Sequence, residues 1–180
     1  MKTTAILIAG FGGQGTLFAG KVLANASLLK GLEVSWLPSY GPEMRGGTAN
    51  CSVMVSESPI GSPIVSKPDV LIALNKPSFE KYEKVTAPGG TIFVDSTLVD
   101  LKSERKDITV HYVPATEIAK NATGNAGLSN MVLVGSAIKN TGIFTEEEII
   151  ESLSSIVPPS KTALYEANIN ALKGGVNSEA

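Results

Sequence analysis

Apolar positions along the chain alternate between two rhythms, an unbroken or period-two run and a spacing of three to four residues. Thr3–Ala9 is a continuous apolar run, the pattern of a strand buried on both faces of a parallel sheet. From Thr16 to Lys30 the apolar residues Phe18, Val22, Leu23, Ala26 and Leu29 recur at helical spacing, and Gly31 is placed to close that helix in the left-handed region. Glu33–Leu37 then reads as a short strand that buries Val34 and Trp36 and leaves through Pro38. Strand, turn, helix and strand fit within about forty residues, the size of a crossover unit.

The same two rhythms continue downstream. Pro38–Thr48, with two prolines and three glycines, reads as a loop, since that composition excludes a helix or a central strand. Ala49–Ser56 alternates with Cys51, Val53 and Val55 on one face, and Ser58–Pro63 is a turn cluster. Asp69–Leu74 reads as a buried strand, Pro77–Lys84 as a short helix, and Thr91–Asp95 and Thr109–Val113 as strands. Pro114 is suited to open a helix, because its missing N–H costs nothing there, and Asn121–Gly127 breaks that helix. Leu128–Lys139 resumes helical spacing. Thr145-Glu146-Glu147-Glu148 is a capping box with acidic residues at the positive end of the dipole, predicting a helix to about Ser155. Ser160 is read as the cap of a last helix that stops before Gly174-Gly175. The fold class expected is therefore α/β: a single Rossmann-like domain over residues 1–175, with a mostly parallel twisted sheet, helices on its faces and a frayed tail at 176–180.

Composition narrows the function. A net charge of -2 gives no electrostatic case for nucleic acid, and a charged fraction of only 18% points to surface covered by other subunits. Cys51 is the single cysteine, which excludes an internal disulfide and an iron–sulfur cluster held by this chain's own thiolates. Within an alternating strand it reads as a small buried hydrophobe. His111 is the single histidine, so multi-histidine metal sites have no ligands, and it reads as an ordinary residue near a strand end. The apolar run after Lys2 ends at Gly10, too short for a secretory core or a membrane span, so a soluble cytoplasmic protein is expected.

Two segments carry candidate chemistry. Gly10-Phe11-Gly12-Gly13-Gln14-Gly15 follows a strand and opens a helix, matching G-x-G-x-x-G through Gly10, Gly12 and Gly15. Such a turn exposes amide N–H groups and lets an anion approach a helix N-terminus. A dinucleotide site also needs an acidic residue at the end of the second strand, and here that strand ends at Leu37-Pro38-Ser39, with Glu33 at the wrong end. The lesser alternative is that the glycines only let the first helix pack close to the strand. The second segment is Tyr40-Gly41-Pro42-Glu43-Met44-Arg45-Gly46-Gly47. Arg45 offers a planar fork for phosphate or carboxylate, and Gly46 and Gly47 permit close approach; a solvated surface loop is the alternative.

These segments, with Thr48-Ala49-Asn50-Cys51 and the later Asn130-Met131-Val132-Leu133-Val134-Gly135, resemble the gamma subunit of 2-oxoacid:ferredoxin oxidoreductases, and the wording around Arg45 resembles the 2-oxoglutarate branch more than the pyruvate branch. The resemblance implies a subunit of a complex that converts a 2-oxoacid and coenzyme A to acyl-CoA and CO2 while reducing ferredoxin. Its implied partners are the alpha and beta subunits, with delta as an optional third. Thiamine diphosphate, Mg2+ and [4Fe-4S] clusters are implied to sit on those partners, and this chain lacks a Gly-Asp-Gly thiamine motif. The implied role of this chain is coenzyme A binding and subunit contact, with no catalytic or metal-ligating residue of its own. Its candidate binding residues are Gly10, Gly12, Gly13, Gln14, Gly15, Tyr40, Glu43, Arg45, Gly46, Gly47 and Asn130. Two other readings stay open: a free-standing NADP-dependent reductase using Arg45 for the 2′-phosphate, and a purely structural subunit.

Overall fold

The structure is a computed structural model that describes residues 3–39 and 48–179. Strands β1 (Thr4–Phe11), β2 (Glu33–Ser39), β3 (Thr48–Ser56), β4 (Val70–Ala73), β5 (Thr91–Asp95) and β6 (Thr109–Val113) form one sheet in the order β2-β3-β1-β4-β5-β6. β1, β4, β5 and β6 pair in parallel. β3 is antiparallel to both β1 and β2, so β2 points the same way as β1 and β3 is the one reversed strand among the described residues. The mostly parallel sheet read from the sequence is thus observed.

The usual dinucleotide-binding order is 3-2-1-4-5-6. Here β2 and β3 have exchanged places, and β3 lies against β1 from Thr4↔Val55 to Phe11↔Thr48. The carboxyl end of β2 therefore lies two strand spacings from β1, about 10 Å. As an edge strand, β2 tolerates Pro38, which pairs with Cys51 and lacks only a donor. That corrects the strand ending at Leu37 and the loop beginning at Pro38.

Among the described residues six α-helices cover the sheet unevenly: α1 (Thr16–Leu29), α2 (Lys76–Tyr82), α3 (Ala115–Thr123), α4 (Ser129–Thr141), α5 (Glu146–Ile156) and α6 (Thr162–Val176). One sheet face, through Ile6, Ile8, Cys51, Val53, Val55, Ile72 and Phe93, packs on the apolar sides of α1, α3, α4, α5 and α6. The other face has a smaller cluster, in which Leu7, Leu71, Ile92 and Val94 meet Phe79 of α2 and Val99. The Thr145 capping box is present, Glu148 N donating to Thr145 Oγ1 at 3.3 Å and Thr145 N to Glu148 Oε2 at 2.9 Å.

The last helix departs from expectation. α6 begins at Thr162, after a 3-10 turn that contains Ser160, and it runs through Gly174 and Gly175 to Val176. The glycines do not end the helix because α4 and α6 cross there in backbone contact. A Cβ on Gly175 would collide with the Val132 carbonyl, and one on Gly135 with the Leu172 carbonyl. The close crossing selects glycine at both positions, overriding the loss of helix propensity. α3 likewise extends to Thr123, past the predicted break at Asn121, and ends where Gly124 adopts φ +74°.

Candidate functional site

β1 ends beside β3, Gly10 pairing with Ala49 and Phe11 with Thr48, and the chain then turns through Gly12, Gly13 and Gln14 into α1. Gln14 N donates to Phe11 O at 3.1 Å, closing the turn. Gly13 and Gly15 have φ of +96° and +75°, values that strongly favour glycine. Gly10 is confined for a different reason: a Cβ there would lie 2.9 Å from Gln14 Oε1 and 3.0 Å from both Leu74 Cβ and Thr16 Cγ2.

The Gln14 side chain bridges β1 and β4, the pair on either side of which the chain's connections diverge. Its Oε1 accepts from Phe11 N at 2.6 Å and from Asn75 Nδ2 at 2.8 Å, while Nε2 donates to Leu74 O at 3.1 Å. Asn75 also caps α2 by accepting from Ser78 N at 2.9 Å. The crevice between β1 and β4, where open α/β sheets commonly take ligands, is thus spanned by a side chain.

Space lies beside the turn. A cavity of about 260 Å3 is lined by Gly12, Gly13, Gly15, Thr16, Leu17 and Ala49. Gly15 is the N-cap of α1 and has no side chain to cap the first turn; the intrahelical ladder begins with Ala19 N donating to Gly15 O. The N–H groups of Thr16, Leu17 and Phe18 are therefore left at the positive end of a fourteen-residue helix, an arrangement chemically suited to an anion. From behind, Asn130 Nδ2 donates to Gly15 O at 3.0 Å, and its amide lies so close that a Cβ on Gly15 would collide with it. Below, Cys51 Sγ donates to Thr16 O at 3.2 Å, and burial pushes its thiol up to about 12, which keeps it protonated and inert.

Residues 5–178 match the model of the pyruvate ferredoxin/flavodoxin oxidoreductase family. The chain belongs to that family. It is 38% identical over 177 residues to ketoisovalerate oxidoreductase subunit VorA of Methanothermobacter marburgensis, an alignment that takes in 98% of this chain and 36% of VorA. The chain therefore spans about a third of that relative's length. Among solved structures, the gamma subunit of a keto/oxoacid ferredoxin oxidoreductase from Geobacter sulfurreducens superposes with a TM-score of 0.84 at 29% identity, covering 97% of this chain and 95% of the other. The 2-oxoglutarate:ferredoxin oxidoreductase from Magnetococcus marinus, solved with 2-oxoglutarate, coenzyme A and succinyl-CoA bound, superposes with a TM-score of 0.86 at 25% identity, covering 98% of this chain and 31% of that one.

In this family member the sequence-predicted residues fall into three groups. Gly10, Gly12, Gly13, Gln14 and Gly15 form one turn, and Asn130 reaches it from the start of α4. Gln14 places its side chain inward, on Phe11, Leu74 and Asn75. Tyr40, Glu43, Arg45, Gly46 and Gly47 lie outside the described residues. The sequence reading missed Asn75, whose signal was an asparagine just before Lys76-Pro77, a usual helix start. His111 stacks on Phe93 with ring centroids 4.8 Å apart. Among the described residues no group of three or more His, Cys, Asp or Glu could hold a metal, and no helix is long and apolar enough to cross a membrane.

Proposed function

We propose that this chain is an accessory gamma subunit of a 2-oxoacid:ferredoxin oxidoreductase, that it receives the phosphates of coenzyme A at the glycine turn, and that it contacts the thiamine- and cluster-bearing subunits. The observation that carries the reading is the open cavity over Gly12, Gly13 and the uncapped start of α1. A pyrophosphate accepting from such N–H groups gains about 0.3–1 kcal/mol from the helix dipole alone. The donor set fits an anion, and it lacks what a nicotinamide cofactor needs, since β2 ends at Ser39 without an acid and two strands from β1.

Arg45 extends the same site in this reading. Arg45 stands three residues before Thr48 in the sequence, and Thr48 pairs with Phe11 at the edge of the turn. Thiamine diphosphate, Mg2+ and [4Fe-4S] clusters on the alpha and beta subunits, with delta as an optional third, supply decarboxylation and electron transfer to ferredoxin. The exposed edge strand, with Trp36 at 38% and Leu37 at 43% exposure, is a natural surface for subunit contact. The favoured 2-oxoacid is 2-oxoglutarate, on the wording around Arg45, and the favoured compartment is the cytoplasm.

Affinity purification from the native source tests the assembly. Thiamine- and cluster-bearing partners are the expected companions, and recovery of this chain alone counts against the complex. In the assembled complex, Arg45→Ala is expected to raise KM for coenzyme A or weaken assembly; if neither changes, Arg45 has neither role.

A further inference from the structure

Between Phe11 and Thr16 only Gln14 carries a side chain, the other three residues being glycine. Glycine leaves a turn free to take many shapes, so a turn that presents N–H groups to an anion needs a hold from elsewhere. Gln14 reaches back under Gly10, its Oε1 standing 2.9 Å from where a Gly10 Cβ would be. What fixes Gln14 is Asn75, which is 3% exposed and lies 61 residues further along the chain.

A side-chain amide has two ends, and here both orientations are dictated by backbone groups that have no choice. Ser78 N can only donate, so Asn75 Oδ1 faces it at 2.9 Å and Asn75 Nδ2 is left to donate to Gln14 Oε1 at 2.8 Å. Phe11 N also can only donate, and it meets the same Gln14 oxygen at 2.6 Å. Leu74 O can only accept, and Gln14 Nε2 donates to it at 3.1 Å. Turning either amide over would set donor against donor at one end and oxygen against oxygen at the other. A polar network whose members are all paired is rigid. The start of α2 thereby dictates the orientation of Gln14, and Gln14 dictates how Phe11 enters the glycine turn.

We infer that Asn75 is a positioning residue for the anion site: through Gln14 it holds the glycine turn in the shape that presents its N–H groups, although α2 does not line the cavity at the turn. That the anion belongs to coenzyme A rests on the function proposed above; the hold itself rests on the four hydrogen bonds.

Asn75→Asp separates this role from helix capping. Aspartate keeps an oxygen for Ser78 N and caps a helix as well as asparagine does, but it has no proton for Gln14 and sets a carboxylate oxygen against Oε1. In the assembled complex it is expected to raise KM for coenzyme A about fivefold, the worth of one hydrogen bond, with kcat at saturating coenzyme A unchanged. In the 180-residue chain it is expected to leave Tm unchanged and to speed hydrogen exchange of the Phe11 amide, followed by NMR, by about the same factor. Asn75→Ser, which also caps but is too short to reach Gln14, is expected to move KM and exchange in the same direction. Tyr82→Phe serves as the control, since it removes the other polar anchor of α2, the bond from Asn50 Nδ2 to Tyr82 Oη at 3.1 Å, and is expected to leave KM unchanged. A rise in KM as large in Tyr82→Phe as in Asn75→Asp overturns the inference, because general loosening of α2 then accounts for it. Phe11 exchange that keeps its original rate in both Asn75 variants overturns it whatever the ligand. If KM for coenzyme A rises in Gly13→Asp and in neither Asn75 variant, this inference falls and the coenzyme A reading stands; if it rises in none of the three, the coenzyme A reading falls with it.

Discussion

A methyl group added at Gly13 would meet nothing within 4 Å, whereas one added at Gly175 would run into the Val132 carbonyl. The two glycines answer different physical demands. At the β1–α1 turn the backbone must take φ +96° and leave space over exposed N–H groups; at the α4–α6 crossing the backbone is ordinary helix and the space is what must vanish. Gly15 shares both characters, since it has φ +75° and is also pressed against Asn130. A glycine run therefore marks an open turn where the added side chain would enter space, and a close crossing where it would strike backbone.

Substitutions separate the two demands. Gly175→Val is expected to cost the most, about 3 kcal/mol or more, because the obstacle is a helix carbonyl that cannot rotate away. In thermal unfolding that is a fall in Tm of about 6–12 °C. Ligand binding per folded molecule should be unchanged, as the crossing does not line the turn cavity. Gly15→Ala is expected to be intermediate and to damage both properties. It combines left-handed backbone strain of about 1–3 kcal/mol with displacement of Asn130, so calorimetry should find reduced stability together with weaker coenzyme A binding. Gly13→Ala is expected to be smallest in stability, about 1 kcal/mol from φ alone. A Gly13→Ala loss as large as that of Gly175→Val would erase the distinction.

Much of the fold could be read from residue pattern because its signals are local. The apolar run of β1, the alternation of Cys51, Val53 and Val55, and the Thr145 capping box each need only a few neighbouring residues, and each is observed. What escaped depends on residues far apart in the chain. The exchange of β2 and β3 is a choice of neighbours across the sheet, and no residue in β3 announces it. Gly174-Gly175 looked like a stop because glycine ends helices in isolation, while the reason it does not lies forty residues earlier at Val132 and Gly135. At the site, the glycine turn was legible as a turn, but the anchoring of Gln14 to Leu74 and Asn75, sixty residues away, was not.

The most direct test of the account places a charge in the open space at the turn. Gly13→Asp adds a carboxylate where no atom now lies within 4 Å, and aspartate tolerates the left-handed region better than most residues. In the assembled complex the account predicts that KM for coenzyme A rises by about tenfold or more, equivalent to about 1.4 kcal/mol of lost interaction, while KM for the 2-oxoacid stays unchanged. An unchanged KM for coenzyme A in a complex that assembles normally would contradict the account.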